Sequence, residues 1–104
     1  MERNAFKMKL TPGWIQEYKK RHDEIWPELV EELRKAGISD YSIFYDEETS
    51  SLFAVQKLTD DNTAADLPDN TIVRKWWDYM ADIMDVNPDN SPVCIPLIEV
   101  FHMD

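Results

Sequence analysis

Apolar and polar residues alternate at the start of the chain. Between Ala5 and Leu10 every second residue is apolar and lysines lie between them, a period of two that is typical of a half-buried strand. Thr11 and Pro12 follow. A threonine cap with proline in the first helical position indicates the start of a helix. The pattern therefore predicts a strand that leads directly into a helix.

The segment from Trp14 to Gly37 has helical spacing with one interruption. Trp14, Tyr18 and His22 recur every four residues, which places them on one face of a helix. Pro27 interrupts this pattern, because proline lacks an N–H and disfavours helical backbone in the residue before it. We expect a kink or a restart at Pro27 and a second helical stretch that ends at Gly37 as its C-cap.

The rest of the chain predicts a hairpin, a helix and a closing strand. The stretches DYSIFYD and SLFAVQKL are separated by polar residues 47–50, as in a β-hairpin. Residues 59–70 are acidic and rich in turn formers, and we expect mostly loop there. TIVRKWWDYMADIM has apolar residues at helical spacing and predicts a helix over 71–84. NPDNSP predicts a loop, and residues 93–103 predict a final strand in which Pro96 favours an edge position or a bulge.

The predicted order of elements is β-α-β-β-α-β, and it defines the expected fold. Across residues 1–104 it matches one ferredoxin-like α+β domain, an antiparallel sheet with helices on one face. The other face of such a sheet stays open, so aromatic residues on it need a ligand or a partner subunit. Two such domains packed sheet to sheet would form a dimeric α+β barrel with a pocket.

Composition argues against several classes of function. Two glycines in 104 residues cannot build the glycine-rich loops that bind dinucleotides or nucleoside triphosphates. One cysteine and two distant histidines argue against a disulfide framework and a bound metal. A net charge of -10 would repel nucleic acid. No apolar run has the roughly 18 residues of a membrane span, and no signal peptide is evident, so we expect no membrane association and a cytoplasmic location.

The strongest acid/base candidate by side-chain type is His22. An ordinary pKa of about 6.5 lets histidine exchange protons near neutrality, and Tyr18 lies one helical turn earlier. An exposed or capping histidine is the simpler alternative, and both roles stay open. His102, on the last predicted strand, is the weaker candidate. Cys94 is expected to be a small buried hydrophobe.

Aromatic residues supply candidate ligand contacts. Adjacent helical residues point about 100° apart, so Trp76 and Trp77 need not both face the core. An indole can cover the C–H face of a sugar ring, although core packing explains at least one of the pair equally well. Tyr41 and Tyr45 can offer hydroxyls from the hairpin, while strand tyrosines mostly pack across strands.

Seven segments in order carry a family resemblance: AFKMKL, EYKKRHDEIWPEL, YSIFYD, LFAVQ, RKWWDYMADIM, NPDNSP and LIEVFHM. The combination of RH-x-x-IWPEL with WW-x-YM and NPDNSP is specific. In these segments the chain resembles the L-rhamnose mutarotase family. Residues 59–71 contain no family motif, so the resemblance implies nothing about them.

This resemblance implies a cofactor-free isomerase that interconverts the α and β anomers of L-rhamnose. It also implies a homodimer of ferredoxin-like subunits that binds L-rhamnose or a related 6-deoxy sugar. By position in the motifs, His22 is the implied proton donor, and Tyr18, Tyr41, Trp76 and Trp77 are the implied sugar contacts. Mutarotation requires only proton transfers, so neither a metal nor a nucleotide is needed.

The residues alone leave the mechanism and two other functions open. Our hypothesis is that His22 protonates the ring oxygen or another sugar oxygen while Tyr18 holds or relays the proton; the base is not assigned. One alternative is a sugar-binding module without catalytic activity on the same scaffold. The other is a small dimeric α+β barrel oxygenase built on Trp76, His22 and Asn87. Anomer exchange tests the first alternative, and oxygen uptake or haem absorbance tests the second.

Overall fold

The alternating residues at the N-terminus form a central strand of a four-stranded sheet. In the computed structural model, which describes residues 1–104, the strands are β1 (Glu2–Lys9), β2 (Ile38–Asp46), β3 (Ser51–Leu58) and β4 (Ile95–Leu97). Their order is β2-β3-β1-β4, and all neighbours are antiparallel. This is the split β-α-β arrangement, so the predicted ferredoxin-like fold is confirmed.

The first helical region consists of two helices, α1 (Ile15–Asp23) and α2 (Pro27–Lys35). Pro27 occupies the first turn of α2, where its missing N–H costs no hydrogen bond, and the predicted restart is confirmed. The predicted helix start at Thr11 is wrong. Residues 11–13 form a turn in which Gly13 has a φ of +89°, a conformation outside the right-handed helical region. The helix therefore begins only after Trp14.

Gly37 ends the second helical stretch as predicted, and it also sits against a neighbouring segment. Its φ is +91°, which favours glycine. A Cβ atom there would lie 2.3 Å from Thr59 Oγ1 and 2.9 Å from Asn62 Cβ. The Thr59 N–H also donates to the Gly37 carbonyl at 3.0 Å. This hydrogen bond joins the end of α2 to the chain that follows β3.

The second helical region differs from its prediction at both ends. The segment predicted mostly as loop contains a 3-10 helix at Ala64–Asp69. Asn70 then caps α3 (Thr71–Met80), and a short 3-10 turn follows at Ala81–Ile83. The helical region ends before residue 84, where Met84 has extended backbone and forms a bridge with Leu10. The Thr11 N–H also donates a hydrogen bond to the Ile83 carbonyl at 2.9 Å. That bond ties the end of the helical region to the end of β1.

The core lies between the helices and one face of the sheet. Its buried members are Met8, Leu10, Tyr18, Leu29, Leu52, Ala54, Val73, Trp76, Met80, Ile83 and Met84. The strands contribute alternate residues to it, as the period of two predicts. No helix of the structure is long and apolar enough to span a membrane.

The closing strand is much shorter than the predicted 93–103. β4 pairs only with β1, over three residues at the sheet edge, and residues 98–104 are exposed without regular secondary structure. Ile98, Val100 and Phe101 are 87%, 92% and 79% exposed. The apolar pattern that predicted a longer strand thus lies on side chains that no other part of the chain covers.

Candidate active site

A cavity between the helices and the sheet contains all of the predicted site residues. Its volume is about 920 Å³, and 23 of its 32 lining residues are hydrophobic. The five predicted residues lie on α1, β2 and α3 and all border this cavity: Tyr18, His22, Tyr41, Trp76 and Trp77. Such a lining suits a ligand that is partly apolar and is oriented by a few polar groups.

His22 and Tyr18 meet because they are four residues apart on α1. Their rings stack with centroids 4.3 Å apart at an angle of 26°. His22 Nδ1 lies 3.0 Å from the main-chain carbonyl oxygen of Tyr18. A carbonyl oxygen can only accept a hydrogen bond, so Nδ1 carries the hydrogen in this contact. In a neutral imidazole, Nε2 is then the nitrogen that can accept a proton.

The surroundings of His22 favour this neutral form. Burial lowers the pKa of His22, while its hydrogen bond to the Tyr18 carbonyl and the charge of Asp23 act in the opposite direction. Trp76 contributes to the enclosure through a T-shaped contact with the imidazole, with ring centroids 5.4 Å apart and planes at 88°. Because a buried charge is costly in apolar surroundings, the imidazole is predominantly uncharged at neutral pH.

Tyr18 and Tyr41 present protonated phenols to the cavity. Burial raises the pKa of Tyr18, and proximity to Tyr41 and Cys94 raises it further. Tyr41 keeps 38% of its surface exposed, and its partial desolvation raises its pKa to about 12, with a smaller contribution from Cys94. Neither hydroxyl has a hydrogen-bond partner within the chain. Every side-chain nitrogen or oxygen that is inaccessible to solvent in a buried or half-buried residue has such a partner. Both hydroxyls are therefore available as hydrogen-bond donors to a bound molecule.

The two adjacent tryptophans differ in burial. Trp76 is 8% exposed and belongs to the core, where its ring also meets Trp26 edge to face at 5.1 Å. Trp77 is only partly buried and packs against the core from outside. Core packing is thus correct for Trp76, and both indoles still border the cavity.

Sequence reasoning missed Gln56 and misplaced Cys94. Gln56 lies among apolar residues on the helix-facing side of β3, and it is 7% exposed. Its Nε2 donates to Asn4 Oδ1 at 3.0 Å, and the residue borders the cavity. The signal for Gln56 in the sequence is that it is polar at a position where the alternation of β3, with Ala54 and Leu58, predicts a buried apolar residue. The prediction that Cys94 is buried is wrong: Cys94 is exposed and borders the cavity, directly before the exposed strand β4.

Two other candidate residues lie away from the cavity. Asn87 forms hydrogen bonds within its own loop, from its N–H to the Ser91 carbonyl at 2.7 Å and from Nδ2 to Ser91 Oγ at 3.0 Å. His102 lies on the exposed C-terminal segment, with Nε2 2.7 Å from Asp104 Oδ1. The structure thus does not bring Asn87 to His22 and Trp76, as the oxygenase alternative requires.

Comparison with known proteins relates the whole chain to one family. Residues 3–103 match the family model described as L-rhamnose mutarotase. Proteins named L-rhamnose mutarotase from Bacteroides thetaiotaomicron and Formosa agariphila are 64% and 62% identical to this chain, and each alignment covers all of both chains. The crystal structure of the Formosa agariphila L-rhamnose mutarotase superposes with a TM-score of 0.93, again over all of both chains.

Proposed function

Because this chain belongs to the L-rhamnose mutarotase family, we propose that it interconverts the α and β anomers of L-rhamnose and that His22 carries the proton. The observation that supports this role is the hydrogen bond from His22 Nδ1 to the Tyr18 carbonyl. Because Nδ1 is occupied by this bond, Nε2 is the nitrogen that exchanges a proton. Histidine is the side-chain type whose ordinary pKa lies near neutrality, and His22 is the only histidine that borders the cavity.

The reaction requires one proton to move between two oxygens of the sugar. Ring opening breaks the bond between C1 and the ring oxygen O5, while the anomeric hydroxyl O1 loses its proton and becomes the aldehyde oxygen. The freed O5 gains a proton. Both oxygens are bonded to C1, so Nε2 of a single imidazole can accept the proton from O1 and return it to O5.

The same nitrogen serves the return reaction. Rotation about the C1–C2 bond presents the other face of the aldehyde to O5, and closure returns the proton from O5 to the new anomeric hydroxyl. A positioned proton carrier of this kind contributes typically about 10²–10⁴-fold. This proposal changes the order in the sequence-based hypothesis: neutral His22 acts first as base and then, once protonated, as the acid.

The remaining predicted residues have binding roles in this proposal. Tyr18 and Tyr41 donate hydrogen bonds to sugar oxygens, which suits phenols whose pKa is raised. Trp76 and Trp77 cover C–H groups of the ring, a contact that indoles favour. The apolar lining also accommodates the C6 methyl group of L-rhamnose, which contributes only about 1–3 kcal/mol to discrimination.

The homodimer is likewise part of the proposal. The sheet face away from the helices carries apolar side chains, among them Phe44, Ile95 and Leu97, which are 63%, 49% and 39% exposed. Apolar patches of this kind are typical of interfaces. Sedimentation of the wild type and of Phe44→Glu tests the homodimer. We expect the wild type to sediment as a dimer and Phe44→Glu to dissociate more readily, whereas a monomeric wild type would contradict the proposal.

The proposed compartment is the cytoplasm, which cell fractionation tests.

Saturation-transfer NMR with a panel of L- and D-sugars tests the activity. Irradiation of one anomeric proton of L-rhamnose should reduce the signal of the other anomer in proportion to enzyme concentration. Related 6-deoxy sugars should respond in the same way, and sugars that do not fit the cavity should respond less. No transfer above the uncatalysed rate for any sugar, with binding intact, would indicate a sugar-binding module instead.

A further inference from the structure

Arg21 is a charged side chain that its neighbours cover near the protein surface, directly before His22 in the chain. It is 9% exposed. Its Nε donates to Glu17 Oε2 at 2.8 Å on the same helix. The other two nitrogens reach the last turn of α3 and the 3-10 turn after it. Nη1 donates to the Tyr79 carbonyl at 2.9 Å, and Nη1 and Nη2 donate to the two carboxylate oxygens of Asp82 at 2.8 and 3.2 Å. Arg21 therefore joins α1 to the end of α3.

The guanidinium group also starts a continuous series of ring contacts that ends at His22. It lies 4.6 Å from the ring centroid of Tyr79. Tyr79 stacks on Trp26 at 5.8 Å and meets Trp76 at 5.6 Å. Trp76 presents its ring edge-to-face against His22 at 5.4 Å. The position of Trp76 at the imidazole thus depends on how α3 is held against α1.

We propose that Arg21 is a positioning residue for the site: by clamping the end of α3 to α1, it holds Trp76 against the imidazole of His22. Arginine suits this position because its planar fork binds a carboxylate through two hydrogen bonds and also stacks on an aromatic ring. Lysine would keep the charge and lose the fork. The expected loss of activity rests on the proposed role of His22. The contact between Trp76 and the His22 imidazole can be measured in an assay that does not depend on catalysis.

Arg21→Lys is the variant that separates geometry from charge. It keeps a positive charge beside Glu17 and Asp82, so any change at His22 reports the altered packing. A small displacement of a reacting group has a large effect, since about 1 Å can cost about 10²-fold. We expect kcat to fall about tenfold while KM changes less than about threefold.

Two further readouts detect the displacement directly. NMR titration of the imidazole should show the pKa of His22 raised toward its ordinary value, because a loosened Trp76 admits water. The chain has only two histidines, so the ring signals of His102 provide an internal reference. Near-ultraviolet circular dichroism should weaken as the contacts among Trp26, Trp76 and Tyr79 loosen. Lys35→Gln is the control, because the Lys35 side chain is 64% exposed and pairs only with Glu31 and Glu32 of its own helix, α2.

Asp82→Asn tests the proposal even if Arg21→Lys does not fold, because the Asp82 side chain is 63% exposed. Removing its negative charge would by itself lower the pKa of His22, whereas loosening α3 would raise it. A raised pKa, with kcat reduced about threefold, supports the proposal. Wild-type kcat and a wild-type His22 titration in the folded variants would overturn it, even if their melting temperature fell. If the wild type does not accelerate anomer exchange, the titration and the circular dichroism still show whether Arg21 holds Trp76 against the imidazole of His22.

Discussion

Acidification should abolish activity through the protonation of His22. The proposed mechanism begins with neutral imidazole, and burial lowers the pKa of His22 below its ordinary value of 6.5. At pH 7 at least about three-quarters of the enzyme is then in the active form. Below the pKa the neutral fraction falls tenfold for each pH unit, so kcat/KM should follow with a slope of one.

The sign of this dependence distinguishes the two orders of proton transfer. If neutral His22 acts first as base, kcat/KM rises with pH through the lowered pKa and is level at neutrality. If protonated His22 is required first as acid, kcat/KM is greatest below that pKa and falls as the pH rises. Anomer-exchange NMR between pH 4.5 and 8, corrected for the uncatalysed rate at each pH, measures this profile.

A variant of Asp23 sharpens the test. The charge of Asp23 raises the pKa of His22, so Asp23→Asn should move the acidic limb to lower pH. The shift should be a fraction of a pH unit, because the Asp23 side chain is 62% exposed and its charge is screened. Glu31→Gln removes a carboxylate from α2 and should leave the profile unchanged. A kcat/KM that declines from pH 5 to pH 7 would refute the base-first mechanism.

Two further predictions concern the fold and the cavity. Gly13→Ala should cost roughly 1–2 kcal/mol of unfolding free energy for its left-handed backbone alone, since no atom lies within 4 Å of the added Cβ. Gly37→Ala should cost roughly 1–3 kcal/mol more through overpacking against Thr59 and Asn62, and equal urea midpoints for the two variants would contradict this. Tyr18→Phe removes one hydrogen bond to the sugar and should lower kcat/KM about 2–12-fold. Wild-type kinetics in this variant would exclude the Tyr18 hydroxyl from binding.

Much of the fold could be predicted from the sequence because each element has a local signal. The period of two predicted β1, two apolar stretches separated by polar residues 47–50 predicted the hairpin, and Pro27 marked the restart between α1 and α2. The predictions are wrong at the end of the second helical region and in the final strand, where contacts with distant residues, or their absence, outweigh the local hydrophobic pattern. Residues 81–84 have helical spacing, but Met84 is extended and pairs with Leu10 after β1, which is incompatible with a helix at that residue. The final strand ends early because its apolar residues have no covering surface within the chain.

For the candidate site, the sequence could predict which residues take part but not the contacts that define their roles. Helical spacing alone placed Tyr18 and His22 together. Residue type made Tyr41, Trp76 and Trp77 candidates among other aromatic residues, and the family resemblance selected them as sugar contacts. The spacing could not assign the nitrogen that exchanges protons, because that depends on the 3.0 Å contact between Nδ1 and a carbonyl. Nor could it identify the partners of Arg21, since Asp82 lies 61 residues away.

The role of His22 is tested most directly by the rate of anomer exchange in His22→Gln. Glutamine retains a polar side chain on α1 but cannot carry a proton at neutral pH. At saturating L-rhamnose we expect exchange by this variant to be about 10²–10⁴-fold slower than by the wild type, with the circular dichroism of a folded protein. A folded His22→Gln that exchanges the anomers at the wild-type rate would contradict the proposed mechanism.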